Sequence, residues 1–240
     1  FTYVPNRWMD YGRNPGIRDT DMGARVEHAW DLAPAEARAV QEKLRSRVIL
    51  KDRRGPVRRI AGCDVGFEDG RRTARGAVAV LSADSLDLLA SAVRRRPVSF
   101  PYVPGLLSFR EVPVLLDALG ALDTPPDLIL CDGQGIAHPR RFGLACHLGV
   151  LTDIPTIGVA KTRLVGEHQE PGPRKGDWSP LMDGREMIGG VLRTRAGTRP
   201  LYVSSGHRIT LRTALRRVMD CVTRFRLPET TRWADRLASG

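Results

Sequence analysis

Residues 60–66, IAGCDVG, and residues 128–133, LILCDG, each place an aspartate directly after a short apolar run. If both runs are neighbouring strands of one sheet, Asp64 and Asp132 come within reach of a shared divalent cation. Placing a carboxylate at the end of a buried strand costs free energy unless a positive charge lies beside it. Aspartate beside glycine is also typical of a turn, so either segment alone leaves turn and metal ligand equally open.

Hydrophobic periodicity and turn residues predict the order of elements along the rest of the chain. Three strands joined by short links indicate an antiparallel meander, and the following alternation of helix and strand indicates parallel pairing. Residues 165–183, rich in Pro, Gly and charge, are predicted to be a loop. The predicted elements are a helix 34–51, strands 57–67, 76–82 and 86–98, a helix 106–122, a strand 127–132, a helix 141–151, strands 156–160, 187–195 and 200–204, and a helix 211–225.

This order is that of a ribonuclease H-like α/β fold, a mixed sheet of an antiparallel three-strand meander plus parallel strands, flanked by helices. In such a sheet the first and fourth strands are neighbours, which brings Asp64 beside Asp132. The analogy concerns the fold and does not settle the function. Residues 1–24 show no periodicity, so we expect a flexible N-terminal extension there and a single domain over residues 25–240.

The composition indicates a basic protein without a membrane segment. The chain of 240 residues holds 38 Lys and Arg against 27 Asp and Glu, a net charge of +11. This charge favours a polyanionic partner such as nucleic acid. The alternative is that the organism's proteins are basic in general and the charge has no specific partner. The four cysteines show no CxxC pairing, and no apolar run is long enough to span a bilayer. We therefore expect a soluble, cytoplasmic protein.

Two further residues could join the paired aspartates. Glu111 would supply a third carboxylate, and such oxygen ligands suit Mg²⁺ or Mn²⁺. Ser108-x-x-Glu111 also fits a capping box, in which Glu111 folds back on the helix N-terminus. His207 could bind the cation or orient a water if the last helix packs across the aspartate-bearing strands, and is otherwise a surface or capping residue.

Three segments could contact a nucleic acid. In residues 100–105, FPYVPG, two prolines stiffen a loop around Tyr102, whose ring could enter a base stack or could pack on the core of a simple connector. The glycines of residues 133–135, GQG, would allow a backbone to approach a ligand closely, although this motif alone is weak. Lys161 closes a strand and could neutralise a phosphate, or could simply be solvated.

Together these segments resemble the endonuclease V family of deoxyinosine-directed DNA repair nucleases, from about Arg59 to Ala238. Several long motifs occurring in one order make a chance similarity untenable. The motifs are AGCDVGF (61–67), PYVPG (101–105) with LSFRE (107–111), DGQG (132–135) with HPRR (138–141), IGVAK (157–161) and GHR (206–208).

The resemblance implies roles for individual residues. Asp64, Glu111 and Asp132 would bind the metal, with His207 completing the catalytic centre and Lys161 assisting at the phosphate. Tyr102 would be the wedge that holds open the gap left by the extruded base. The implied substrate contacts also include Pro101, Pro104, Gly105, Leu107, Arg110, Gly133, Gly135 and His138.

The resemblance also implies an activity. Such enzymes hydrolyse the second phosphodiester bond 3′ to deoxyinosine in DNA, leaving 3′-hydroxyl and 5′-phosphate ends, with Mg²⁺ that Mn²⁺ can replace. Some relatives prefer inosine in RNA, so an endoribonuclease is the main alternative. A binding module without catalysis and another ribonuclease H-like nuclease are further alternatives, although the latter gives no reason for the PYVP segment. We expect the protein to act as a monomer.

Overall fold

The computed structural model describes residues 28–240, so the expected extension over residues 1–24 lies outside the described residues. One mixed sheet of eight strands runs through this part of the chain. The single domain expected over residues 25–240 stays a prediction, which the continuity of this sheet supports. Within residues 28–240, no helix combines the length and the apolar character needed to cross a membrane.

Five α-helices and eight strands follow one another along the described residues. The helices are α1 (Pro34–Arg45), α2 (Leu107–Gly120), α3 (Leu144–Thr152), α4 (Leu211–Asp220) and α5 (Glu229–Ser239). The strands are β1 (Arg59–Glu68), β2 (Thr73–Ser82), β3 (Leu88–Pro97), β4 (Leu128–Cys131), β5 (Thr156–Ala160), β6 (Trp178–Asp183), β7 (Glu186–Leu192) and β8 (Leu201–His207).

The sheet order β3-β2-β1-β4-β5-β8-β7-β6 confirms the ribonuclease H-like prediction. Strands β1, β2 and β3 form the antiparallel meander, and β4 and β5 run parallel to β1. In the register of β1 and β4, Cys63 lies opposite Cys131. Each cysteine precedes an aspartate, so Asp64, within β1, and Asp132, just after β4, lie side by side at the edge of the sheet where β4 and β5 end.

Two elements, β6 and α5, have no counterpart among those predicted from the sequence. Strand β6 lies within the stretch expected to be a loop, where Pro180 and a half-exposed edge position weaken the strand pattern. The expected helix over residues 211–225 ends at Asp220, and α5 follows as a separate helix. Helix α5 buries only small side chains, which leave little hydrophobic periodicity in the sequence: Thr230, Thr231, Ala234 and Ala238.

Apolar layers cover both faces of the sheet. Successive β1 residues point to opposite faces, so Ala61 packs with α2 and α3 while Ile60 packs with α4. The first layer also includes Val112, Leu115 and Leu148. The second layer also includes Leu130, Val159, Leu215 and Val218.

Helix α5 lies against β1 with no side chain between the two backbones. A Cβ atom on Gly62 would stand 2.0 Å from the carbonyl oxygen of Thr230, and one on Gly66 would stand 2.2 Å from that of Ala238. Real Cβ atoms do not approach other atoms so closely. Both positions therefore have to be glycine for the helix to dock where it does.

We expect Gly62→Ala to destabilise the protein, because its new methyl group overlaps the backbone of α5. Overpacking of this kind costs about 1–3 kcal/mol, and backbone on both sides leaves little room to relax. Urea unfolding followed by circular dichroism measures the loss. Gly184→Ala is the control, since its Cβ meets nothing at a φ of +60° and only the left-handed conformation is penalised. Equal or smaller loss in Gly62→Ala would contradict the close approach.

Candidate metal centre and nucleic-acid site

Three aspartates converge at one edge of the sheet. Oxygen atoms of Asp64, Asp132 and Asp235 all lie within 4.8 Å of one another. Asp64 belongs to β1, Asp132 follows β4, and Asp235 comes from α5, which the contact at Gly62 fixes in place. The structure thus brings the two predicted carboxylates together and adds a third that the sequence analysis missed.

Lys161 supplies the positive charge at this cluster. It follows β5, and its Nζ lies 2.6 Å from Asp132 Oδ2 and 3.6 Å from Asp235 Oδ1. Burial lowers the pKa of Lys161, but the hydrogen bond and charge of Asp132 outweigh it, so the net pKa is raised. The lysine is therefore held as an ammonium directly beside the aspartates.

One lysine does not balance the negative charge of the cluster. Burial, followed by the charge of Asp132, raises the pKa of Asp64 to about 6, although Asp64 Oδ1 accepts a hydrogen bond of 2.8 Å from the backbone of Val65. The donors are carboxylate oxygens with no sulfur or imidazole among them. Hard oxygen ligands on a partly buried, like-charged site fit a divalent cation such as Mg²⁺ or Mn²⁺.

Glu111 lies in α2 and is 8% exposed. No side chain caps the start of α2, so the alternative of a capping box with Ser108 is not realised. Burial raises the pKa of Glu111 well above its usual value, and Asp64 and Asp132 raise it further. Its carboxyl is outside the 4.8 Å group and has no hydrogen bond or ion pair among residues 28–240. A buried carboxyl without a partner is costly, so its place beside the aspartate cluster fits a region that could accept a cation.

The structure does not bring His207 to this edge. Strand β8 runs antiparallel to β5, so His207 pairs with Thr156 at the start of β5, whereas Lys161 follows its end. His207 is buried, its Nδ1 accepts from the backbone of Ile49 at 3.3 Å, and its Nε2 faces Asp153 Oδ1 at 3.3 Å. This placement corrects the expectation of a catalytic histidine, because the direction of β8 puts it at the opposite edge.

Asp235 occupies the place that His207 was expected to take. The sequence carries a weak signal for it, since Pro228 precedes an amphipathic stretch in which Thr231, Ala234 and Ala238 recur at helical spacing. Because these buried side chains are small, the stretch shows little hydrophobic periodicity, and the helix was not predicted. The structure shows that a helix does pack across the aspartate-bearing strands, and that it contributes a carboxylate.

The loop before α2 presents Tyr102 to solvent. The Tyr102 side chain is 67% exposed, and the flanking Pro101 and Pro104 are exposed as well. Phe100 is buried, with its ring centroid 5.5 Å from that of Phe109. The alternative of a connector whose tyrosine packs on the core is therefore excluded. The loop is anchored at Phe100 and projects Tyr102 outward.

Three hydrogen bonds to the carbonyl oxygen of Gly105, which we call the clamp, hold the other end of this loop. Gly105, at a φ of +78°, accepts hydrogen bonds from Gln41 Nε2 at 3.0 Å, His138 Nε2 at 2.9 Å and Arg140 Nη2 at 2.8 Å. Burial lowers the pKa of His138 to about 4, which keeps its ring neutral. The structure places the buried His138 beneath the loop as a support, and its expected contact with substrate stays a prediction.

The remaining expected contact residues divide between the surface and the interior. Leu107 is exposed at the start of α2. Gly135 is buried, because its backbone lies so close to β8 that a Cβ would stand 2.1 Å from the carbonyl oxygen of Ser205. Gly133 follows Asp132 directly and has a φ of +155°. Arg110 stacks over the ring of Phe67 at 4.4 Å and donates to backbone carbonyls, so it braces the loop from below.

The chain is similar to known proteins over most of its length. A family model described as Endonuclease V matches residues 42–236. The endonuclease V of Rippkaea orientalis is 57% identical over 204 residues, 85% of this chain and 89% of that protein. The structure of Streptomyces avermitilis endonuclease V has a TM-score of 0.84 at 48% identity, covering 91% of this chain and 96% of that one.

A similar structure also includes nucleic acid. A variant of Ciona intestinalis endonuclease V, in complex with a 23mer DNA containing an inosine followed by a ribo-adenosine, has a TM-score of 0.76 at 29% identity. The match covers 85% of this chain and 95% of that one. The range matched by the family model includes Asp64, Asp132, Lys161 and Asp235, so the similarity extends over the whole acidic cluster.

We expect Asp235→Asn to weaken divalent cation binding, because the amide keeps the shape of the side chain but removes one of three clustered carboxylates. The affinity for Mn²⁺, measured by calorimetry, should fall about tenfold or more. Asp84→Asn removes an exposed carboxylate from the turn between β2 and β3 and is the matched control. An unchanged Mn²⁺ affinity in Asp235→Asn would remove this residue from the site.

Cation binding should also depend on pH through Asp64. Because its pKa is about 6, the folded protein holds a proton there at lower pH that the cation has to displace. The Mn²⁺ affinity should therefore fall roughly tenfold from about pH 7 to about pH 5 and gain little above pH 7 from this group. Calorimetry in buffers of different ionisation enthalpy measures the released proton. Equal affinity and no proton release at both pH values would contradict the raised pKa.

Proposed function

The chain belongs to the endonuclease V family, whose members are nucleases, and we propose that it hydrolyses DNA beside deoxyinosine. We propose Mg²⁺ as its cation. The observation that carries this proposal is the aspartate cluster with Lys161 in contact, at the sheet edge shared by Asp64 and Asp132. A protein that only bound nucleic acid would gain nothing from three carboxylates that repel phosphate.

The side chains of the cluster divide the work of phosphodiester hydrolysis. Asp64, Asp132 and Asp235 would hold Mg²⁺, which Mn²⁺ can replace, with Glu111 completing the set from α2. A cation bound there supplies an activated water and stabilises charge on the leaving oxygen. Lys161 presents its ammonium where a phosphate would lie, so it neutralises the group under attack and needs no reorganisation to do so.

Recognition of the lesion falls to the loop around Tyr102. Pro101 and Pro104 stiffen it, and the clamp on Gly105 fixes its end, so the exposed ring can enter a base stack without a large loss of freedom. Hypoxanthine pairs less strongly than the normal bases and is cheaper to extrude. Leu107 and the backbone at Gly133 lie on the loops that would frame the extruded base.

The family resemblance supports a proposal for the position of the cut. We propose that the second phosphodiester bond 3′ to the lesion is hydrolysed, which leaves 3′-hydroxyl and 5′-phosphate ends. An offset between lesion and cut agrees with a wedge loop and an acidic cluster that are built on different elements.

Inosine-containing RNA is the second candidate substrate. In the Ciona intestinalis complex the inosine is followed by a ribonucleotide, which motivates this alternative for the present chain. A protein can distinguish the two nucleic acids only through the 2′-hydroxyl at particular nucleotides. Matched DNA and RNA substrates therefore have to be compared directly.

The decisive measurement uses end-labelled duplexes with and without a single deoxyinosine, and the matching inosine RNA. We expect Mg²⁺-dependent cutting at one position of the inosine DNA, little cutting of the undamaged duplex, and none in EDTA. Asp132→Asn should lose most of this activity while it still binds the lesion, because the amide cannot replace the charge that holds the cation. Equal cutting of both duplexes, or activity that survives EDTA, would refute the proposal.

Tyr102→Ala should lower kcat/KM on the inosine duplex about tenfold, since base–aromatic stacking is worth about 1–3 kcal/mol. Tyr102→Phe retains the ring and should stay close to wild type. On a single-stranded inosine substrate the loss in Tyr102→Ala should be smaller, because no base pair has to be held open. A loss of equal size on both substrates would argue against the wedge role.

A further inference from the structure

A second concave surface adjoins the aspartate cluster on the side of Lys161. It is a cavity of about 600 Å³, and its lining includes Lys161, Arg163, Arg193 and Arg199. We call it the arginine cavity. None of the roles discussed above uses it beyond Lys161.

The sheet topology places the arginine cavity at the same edge as the aspartates. Strand β8 is antiparallel to β5, so Ala160 at the end of β5 lies opposite Tyr202 near the start of β8. Leu192 at the end of β7 pairs in turn with Leu201. The segments that carry Lys161, Arg193 and Arg199 therefore emerge side by side, in line with Asp132.

Two arginines of the cavity have no counter-charge. Arg163 and Arg199 are exposed, and neither has a hydrogen bond or ion pair within residues 28–240. The single acidic residue of the lining, Glu170, is paired with Arg193, whose guanidinium also donates to the carbonyl of Thr198. The acid of the cavity is thus already neutralised, and the charge of Arg163 and Arg199 faces solvent.

Arg226 adds a further positive charge behind this surface. Its Nη2 donates to the carbonyls of Pro200 at 3.0 Å and Lys161 at 3.4 Å, while its Nε is buried with no hydrogen-bond partner in the described part of the chain. Burial, followed by the charge of Arg199, lowers its pKa. Arg226 and Arg199 therefore lie close enough to repel one another, an arrangement that a bound anion would relieve.

We propose that the arginine cavity binds the phosphodiester backbone of the substrate strand next to the scissile phosphate, with Arg163 and Arg199 as phosphate ligands. This inference rests on the proposed function for the identity of the strand. The cavity is continuous with Lys161, so a strand whose scissile phosphate lies at the aspartates extends into it. The hydroxyls of Thr162 and Thr198 in its lining are further donors to phosphate oxygens.

The test compares two variants that each remove two positive charges. R163A/R199A removes the proposed phosphate ligands. R47A/R54A removes two exposed arginines, also without side-chain partners among residues 28–240, from the segment that leads into the start of β1 at the opposite edge. Both variants keep Lys161 and all the clustered carboxylates.

The first measurement is the salt dependence of binding to inosine DNA. With R163A/R199A, the Kd should rise about tenfold and the slope of log K against log salt should shrink by about two, because each lost phosphate contact removes about one unit. R47A/R54A should stay close to wild type in both quantities. Equal slopes in the two variants would overturn the proposal.

The second measurement locates the contact on the nucleic acid. A neutral methylphosphonate replaces one phosphate at a time within a few linkages of the cut, on either side. At one or two linkages the replacement should cost wild type and R47A/R54A about tenfold in Kd and cost R163A/R199A almost nothing. Independent, additive losses at every linkage would overturn the proposal.

These outcomes distinguish a failure of the cavity proposal from a failure of the proposed function. Binding and salt slopes are measured with plain DNA strands as well, so a failure to cut inosine DNA would leave the test of the arginine cavity intact. Conversely, if R163A/R199A and R47A/R54A bind alike while inosine DNA is still cut, the cavity proposal fails and the proposed nuclease function stands.

Discussion

The direct contact between the backbones of α5 and β1 is the constraint on which the candidate site depends. Gly62 and Gly66 remove the side chains that would otherwise separate the two elements. Asp64 lies between them along the strand and points to the same face, and Asp235 on the docked helix meets it there. A larger spacing would leave two aspartates from neighbouring strands and no third ligand.

Close packing of this kind also determines the chemistry of the cluster. By excluding water from Asp64, it raises the pKa of this carboxyl to about 6, and the burial of Glu111 acts in the same direction. Without compensation such a site would destabilise the fold, and Lys161 offsets only part of the charge. The remaining imbalance is the physical basis for the proposed divalent cation at this site.

The segments that follow β4 and β5 supply different side chains beside the aspartate cluster. After Asp132, the chain supplies His138 and Arg140, whose side chains hold the carbonyl of Gly105 and thereby the loop around Tyr102. After Lys161, it supplies Arg163 and enters the arginine cavity. The segment after Asp132 supports the Tyr102 loop through hydrogen bonds, and the segment after Lys161 presents an arginine that has no ion pair among residues 28–240. This division suits the two roles proposed above, recognition of the lesion and retention of the phosphate backbone.

Local patterns in the sequence predicted every strand except β6 and, through the strand order, the neighbouring positions of Asp64 and Asp132, because apolar runs and short turns act over short distances. They left open whether Tyr102 faces solvent. The exposure of Tyr102 and the distant groups that join the two aspartates became visible only in the folded chain. His207 was expected at the centre, but the antiparallel direction of β8 carries it to the opposite edge. Asp235 was missed because α5 buries only small side chains, and its place follows from backbone contact with two glycines. Strand direction and close packing are properties of the assembled sheet, so local sequence patterns do not reveal them.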